Sequence, residues 1–201
     1  MSTRLDCVTT IIGLCGSLRR ESFNRMLLHA AADVAPPGTS IVEESIREIP
    51  LYDGDVEDAQ GVPAAVQRLK DRIADADGLL IVTPEYNNSM PGVLKNAIDW
   101  LSRPADDIER VFGGRPVAIM GATPGRGGTV LSQAAWLPVV RTLGMRPWFE
   151  GELLVSRAFT TFDGDGQIAD AALGERIRRF VEGFAIFAAI QRQPVLMEES
   201  T

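Results

Sequence analysis

Residues 78–92 read GLLIVTPEYNNSMPG, and this stretch decides the fold. Gly78 to Thr83 is a continuous apolar run of strand length. Such a run predicts a strand covered on both faces, as in a parallel sheet. It stops at Pro84, and Pro91 then suits the first turn of a helix that runs to Ser102, ended by Arg103-Pro104. A buried strand, a polar loop and a helix in that order form the repeating unit of an α/β fold.

The same unit recurs on either side. Upstream, Val8 to Cys15 (VTTIIGLC) predicts a strand and Asn24 to Val34 a helix, stopped by Pro36-Pro37-Gly38. Ser40 to Ile46 alternates and predicts a second strand. Ile49 to Tyr52 reads as a short apolar connection. Pro63 to Asp75 is helical, with Val66, Leu69 and Ile73 at helical spacing. Downstream, Arg115 to Ala122 predicts a buried strand and Thr129 to Leu143 a helix that Pro138 should kink or break. The last strand is expected within Arg146 to Leu154. A terminal helix follows over Ala169 to Ile190, with Leu173, Ile177, Phe180 and Phe184 on one face. Gln191 to Thr201 reads as a loose tail. Alternating strands and helices call for right-handed crossovers. The expected architecture is a flavodoxin-like, doubly wound, five-stranded parallel sheet with helices on both faces, in one domain spanning 1–201.

Composition narrows the function classes. The 201 residues are 45% hydrophobic, enough for a true core, and carry a formal charge of −7. That charge argues against a nucleic-acid groove, which needs a basic face. It leaves a phosphate ligand open, because backbone amides at a helix N-terminus hold phosphate whatever the net charge. No apolar run reaches the ~18 residues of a membrane span. The N-terminus lacks a signal-peptide pattern, and Cys7 and Cys15 read as reduced thiols, so a cytoplasmic location is expected. With one histidine, His29, and two cysteines, a zinc site is not expected. His29 reads as a surface or packing residue.

Open α/β sheets bind ligands beyond the carboxyl ends of their strands, and the unusual residues fall there. The first loop, Gly16 to Asn24 (GSLRRESFN), offers hydroxyls, an amide, guanidinium groups and backbone donors to a phosphate. It lacks the glycine pattern of a dinucleotide fold and the Lys-Ser/Thr ending of a triphosphate loop, so it suits a mononucleotide. The alternative is a capped helix with surface arginines. The second loop, Thr83 to Gly92, suits a flat amphipathic ring such as flavin: Pro84 and Tyr86 shape a wall, and the backbone of Glu85 to Asn87 meets the polar edge. The alternative is an Asn-rich turn before a helix. The third loop has glycine at four positions between Gly121 and Gly128, which allows close approach of backbone to ligand. The N-terminal amides of the helix after it would stabilise negative charge on the pyrimidine end of a reduced flavin.

Together, GSLRRESFN, TPEYNNSMPGVLKNAIDWLSRP and TPGRGG resemble the NADPH-dependent FMN reductase family, which includes quinone, chromate and azo-dye reductases. The resemblance covers residues 8–150 well. It implies FMN as cofactor and NADPH or NADH as cosubstrate. It implies that Ser17, Arg19, Ser22 and Asn24 bind the FMN phosphate. Pro84, Glu85, Tyr86 and Asn87 would line the flavin, with Ser89 close by, and Pro124, Gly125 and Gly127 would contribute from the third loop. Arg126 is either a solvated arginine or a contact to the nicotinamide nucleotide. The implied mechanism is ping-pong and needs no catalytic side chain, with a small-molecule electron acceptor of broad range. An alternative is an electron-transfer module like flavodoxin that serves a protein partner. A homodimer or homotetramer is expected, on the motive that Trp100 and Trp136 lie on the helices after loops two and three. Lys95 and Asp99 are spaced to pair on one helix face.

Overall fold

The computed structural model describes residues 8–163 and 166–191. In chain order, β1 (Thr9–Cys15) leads to α1 (Phe23–Asp33), β2 (Thr39–Glu44), α2 (Gly54–Gln60), α3 (Ala64–Ala74) and β3 (Gly78–Val82). Then come α4 (Gly92–Leu101), a 3-10 turn (Ala105–Asp107), α5 (Ile108–Phe112), β4 (Pro116–Ala122) and α6 (Val130–Thr142). The chain continues through β5 (Arg146–Pro147), β6 (Leu153–Val155), α7 (Ala158–Thr161) and α8 (Ala171–Gln191).

The strands pair in the order β2-β1-β3-β4-β5, with β6 also on β4, and every pairing is parallel. Order reverses beside β1, so β1 and β3 diverge into helices on opposite faces. That divergence opens a crevice at the carboxyl ends of the strands. β3 is buried along its whole length, as its unbroken apolar run requires. On one face of the sheet, Ile11, Leu80 and Met120 pack beneath α1 and α8 through Leu28, Ile177, Phe180 and Phe184. On the other, Ile12, Leu79 and Ile81 pack beneath α3, α4 and α6 through Ile73, Leu94 and Trp136. Each such side chain contributes about 1.5–3 kcal/mol of burial. Gly13 lets α1 close on the sheet, since a methyl group there would sit 2.5 Å from Leu28 Cδ1.

Several expectations are corrected. The fifth strand position is filled by two short pieces, β5 and β6. Between them the chain leaves the sheet and buries Trp148 against Phe180 at 5.0 Å and Phe184 at 6.0 Å. Gly151 and Gly183 make room for that indole: a Cβ at either would lie 2.4 or 2.6 Å from it. Pro138 lies inside α6 without breaking it. The segments α2, α5 and α7 have no counterpart in the sequence reading. The motive for a dimer from Trp100 and Trp136 fails, because both are fully buried. Their N–H groups donate inward, Trp100 to Pro50 O at 3.0 Å and Trp136 to Thr83 Oγ1 at 3.1 Å. Cys15 is a buried free thiol, while Cys7 and the expected tail beyond Gln191 lie outside the described residues. His29 is on the surface, 2.7 Å from Glu43, and Lys95 pairs with Asp99 at 2.7 Å as expected.

Candidate functional site

The first loop is pinned at both ends. Gly16 N donates to Val82 O at 2.8 Å, and a side chain at Gly16 would press within 3.0 Å of Leu94, Pro84 and Pro91. Ser22 caps α1 by accepting from Arg25 N at 3.3 Å, and Ser17 Oγ accepts from Arg19 N at 3.3 Å. Both hydroxyls accept from backbone; the Ser17 proton is left to donate, while the Ser22 hydroxyl also lies 3.8 Å from the Cys15 sulfur, to which it can donate. Behind them, the Cys15 thiol donates to Ser17 O at 3.6 Å, and burial pushes its pKa up. The neutral thiol braces the loop. Asn24 Nδ2 donates to Ala122 O at 2.8 Å, and Asn24 Oδ1 accepts from Ala122 N at 2.9 Å. Its amide imitates a strand rung and joins the first loop to β4.

The second loop is a braced hairpin. Tyr86 and Ser89 exchange two backbone hydrogen bonds of 3.0 Å, and Asn87 and Asn88 between them have φ of 51° and 61°. Two successive left-handed residues suit a tight hairpin turn, and asparagine tolerates that conformation better than most residues. Beneath it, the hydroxyls of Thr83 and Ser132 lie 2.8 Å apart, and Ser132 Oγ donates to Pro84 O at 2.9 Å. The Glu85 carboxylate accepts from Leu131 N at 2.9 Å and Ser132 N at 3.1 Å. This corrects the reading of the α6 terminus: two of its first amides are already spent on a protein carboxylate that complements the helix dipole.

The third loop is joined to the chain after β6. Thr123 N donates to Val155 O at 2.9 Å, Arg157 N to Gly125 O at 2.9 Å and Ala158 N to Thr123 O at 3.1 Å. Gly128 has φ of 64° and packs tightly on Leu154, whereas a side chain at Gly127 would enter open space. Bare backbone therefore faces outward at the rim.

A cavity of about 140 Å³ joins the three loops. Its lining brings together Ser17, Arg19, Ser22, Asn24, Pro84, Glu85, Tyr86 and Pro124. Asn87, Ser89, Gly125 and Gly127 are not part of that lining and stand on the loops around it. Phe23 also lines the cavity, stacked on Phe162 with ring centroids 5.9 Å apart, and was missed by the sequence reading. Its signal was available: an aromatic residue next to the helix cap of a loop that reads as phosphate-binding. Larger clefts lie elsewhere: one of about 330 Å³ between α4 and α6, one of about 280 Å³ between α6 and the chain around β5, and one of about 190 Å³ between α1 and the start of α8. Among the described residues, no group of side chains is arranged to hold a metal ion, and no helix is long and apolar enough to cross a membrane.

A doubly wound sheet whose reversal-point loops converge on one cavity, with hydroxyl donors on one side and a Pro–Tyr wall on the other, defines a mononucleotide-binding protein of the flavodoxin-like class. Residues 9–160 match the family described as NADPH-dependent FMN reductase, and the chain belongs to that family. It is 42% identical over 177 residues to an NAD(P)H-dependent FMN reductase of Pseudomonas aeruginosa, covering 88% of this chain and 94% of the relative. It is 40% identical to a 2-hydroxy-1,4-benzoquinone reductase of a Burkholderia species, over the same shares of both chains. The solved structure of FerB, a flavoenzyme NAD(P)H:acceptor oxidoreductase from Paracoccus denitrificans, superposes with a TM-score of 0.82 at 32% identity. That match covers 92% of this chain and 99% of FerB.

Proposed function

We propose that this chain is an FMN-dependent NAD(P)H oxidoreductase that passes electrons to small-molecule acceptors, quinones foremost. The observation that carries the reading is the single cavity in which all three strand-end loops meet. The donor set fits FMN: the Ser17 and Ser22 hydroxyls, and an Arg19 with no ion pair among the described residues, suit a phosphate dianion. The cavity is sized for the phosphate end, and the half-exposed Tyr86, at 47%, leaves a ring face open beyond it.

When bound, FMN supplies the two-electron chemistry that links a nicotinamide donor to the acceptor. The protein's part is to hold and orient. Ser17, Arg19 and Ser22 bind the phosphate. Asn24 acts as a positioner, because its amide is committed to Ala122. Pro84 and Tyr86 wall the ring, and the backbone from Glu85 to Ser89, opposite Pro124, Gly125 and Gly127, meets its edges. No histidine lines the cavity, and hydride transfer through the flavin needs no general acid from the protein. An open ring face admits varied acceptors: azo dyes, free flavins and chromate beside quinones. The electron-carrier alternative lacks support, since the full-length relatives are named as reductases.

The enzyme works as a homodimer in the cytoplasm. Support for the dimer comes from exposed apolar side chains on α4 and α6: Val93 at 39%, Val130 at 47%, Leu131 at 49% and Leu137 at 41%. Ile98 and Val139 line the cleft between those helices. Sedimentation as a monomer at micromolar concentration would count against it. The test of function is spectroscopic. FMN-loaded protein should bleach with NADPH under anaerobic conditions and recolour on adding benzoquinone. Protein that takes up no FMN sinks the reading.

A further inference from the structure

The chain after β6 forms a fourth loop at the carboxyl end of the sheet. It belongs to none of the three that build the cavity, yet it is tied to the third. Arg157 N donates to Gly125 O at 2.9 Å, which places Arg157 and Arg126 on the two sides of one peptide hydrogen bond. Neither arginine has a carboxylate partner among the described residues, and both are exposed. Arg25, Arg72, Arg103 and Arg178 pair with carboxylates at 3.0 Å or less, whereas Arg126 and Arg157 stand open, as Arg19 does at the same end of the sheet. Arg157 also has φ of 52°. Outside the Asn87-Asn88 turn it is the one non-glycine among the described residues with positive φ. A strained residue held beside a site by backbone bonds points to a role there.

Two residues on, Phe159 is 68% exposed. Its ring stands edge-on to Phe23, centroids 5.2 Å apart at 87°, and Phe23 lines the cavity. An anchored aromatic ring is thus left largely to solvent a short step outside the cavity, two residues from Arg157 and on the loop tied by backbone to the one that carries Arg126. A planar base stacks on such a face. Two arginines together suit a phosphomonoester dianion, and a nucleotide carrying both features is an adenosine 2′-phosphate.

We infer that Phe159, Arg157 and Arg126 receive the adenosine end of the reduced nicotinamide donor, with the arginines on its 2′-phosphate. The inference rests on the reductase reading above. It makes this loop the element that selects NADPH over NADH.

The test is steady-state turnover of FMN-loaded enzyme with benzoquinone as acceptor and three donors: NADPH, NADH and reduced nicotinamide mononucleotide, which has no adenosine end. Wild type should show a lower KM for NADPH than for NADH. Arg157→Ala and Arg126→Ala should each raise KM for NADPH about tenfold, the worth of one charge-assisted contact. The KM for NADH and for the mononucleotide should stay unchanged. Phe159→Ala should raise KM for NADPH and NADH together and leave the mononucleotide alone. As a binding probe, 2′,5′-ADP should inhibit wild type competitively against NADPH and lose potency in both arginine variants. Equal KM for NADPH and NADH in wild type would overturn the inference. So would variants that affect NADPH and the mononucleotide alike, or neither. Failure of wild type with all three donors would instead overturn the reductase reading itself.

Discussion

Two groups of basic side chains, one at each end of the sheet, are used in opposite ways. At the amino end, Arg115 lies just before β4 and spends its guanidinium on main-chain carbonyls. It donates to Val111 O at 2.7 Å, Ala74 O at 3.2 Å and also Ala76 O. Burial pulls its pKa down. Near it, the fully buried Lys70 is neutralised by Asp107 at 2.5 Å and donates to Arg103 O at 2.5 Å. At the carboxyl end, Arg19, Arg126 and Arg157 are exposed and carry no ion pair among the described residues. The contrast separates two uses of one residue type. Where every donor has a partner the cation holds elements together; where donors stand bare at a strand-end rim they await an anion.

That contrast can be broken by experiment, and the amino end should yield the largest effect. Arg115→Leu leaves the carbonyls of Val111, Ala74, Ala76 and Arg110 without this donor and should lower unfolding free energy by about 3 kcal/mol in urea titration. A loss under ~1 kcal/mol would erase the distinction. Glu85→Ala sits between the two ends in character, since it removes the carboxylate cap of α6 beneath the Tyr86–Ser89 hairpin. It should cost about 1–2 kcal/mol and weaken FMN binding as well, seen as slower or incomplete FMN uptake by fluorescence quenching. Asn88→Val forces a β-branched residue into positive φ and should cost about 1–2 kcal/mol, read in the same titration.

Acid should act through the amino end. Arg110 first, then Lys70, hold the Asp107 carboxyl far below the ordinary range. A depressed folded-state pKa gives stability that is present above the unfolded value of about 3.9 and is lost as pH falls through the folded one. Unfolding free energy should therefore drop as pH falls below about 4, and Asp107→Asn should flatten that acid limb. The smallest effect belongs to the rim: Arg126→Ala should change stability by less than about 0.5 kcal/mol, whatever it does to donor binding.

Much of the fold is legible in the sequence because β1, β3 and β4 are covered on both faces and so read as unbroken apolar runs. The segment α2 is not, because none of its residues is buried and no apolar period marks it; its start rests on Asp53 capping Asp55 N at 3.0 Å. The split of the fifth strand is hidden for a different reason. It is dictated by where the Trp148 ring lodges against α8, and α8 follows in sequence. The cavity in which the three loops meet lies where the strand-end rule points. The roles of Asn24 and Glu85 were not, because residue type does not reveal whether an amide or carboxylate is spent on a ligand or on the chain. Arg157 and Phe159 escaped notice because they follow a strand of three residues that no periodicity announces.

The Asn24–Ala122 rung has a consequence for how this chain can vary. β1 and β4 are not neighbours; β3 lies between them, and the rung crosses over its end. The segment from Gly16 to Asn24 is therefore measured like a tape between two fixed marks, Val82 at one end and Ala122 at the other. An inserted or deleted residue there would unseat one mark or the other. The stretch from Pro124 to Gly127 is tied instead to the chain after β6, by Arg157 N to Gly125 O, and among the described residues not across the crevice. Length changes should accumulate in that stretch, and new substrate ranges should be found by lengthening it, with the phosphate end left at constant length.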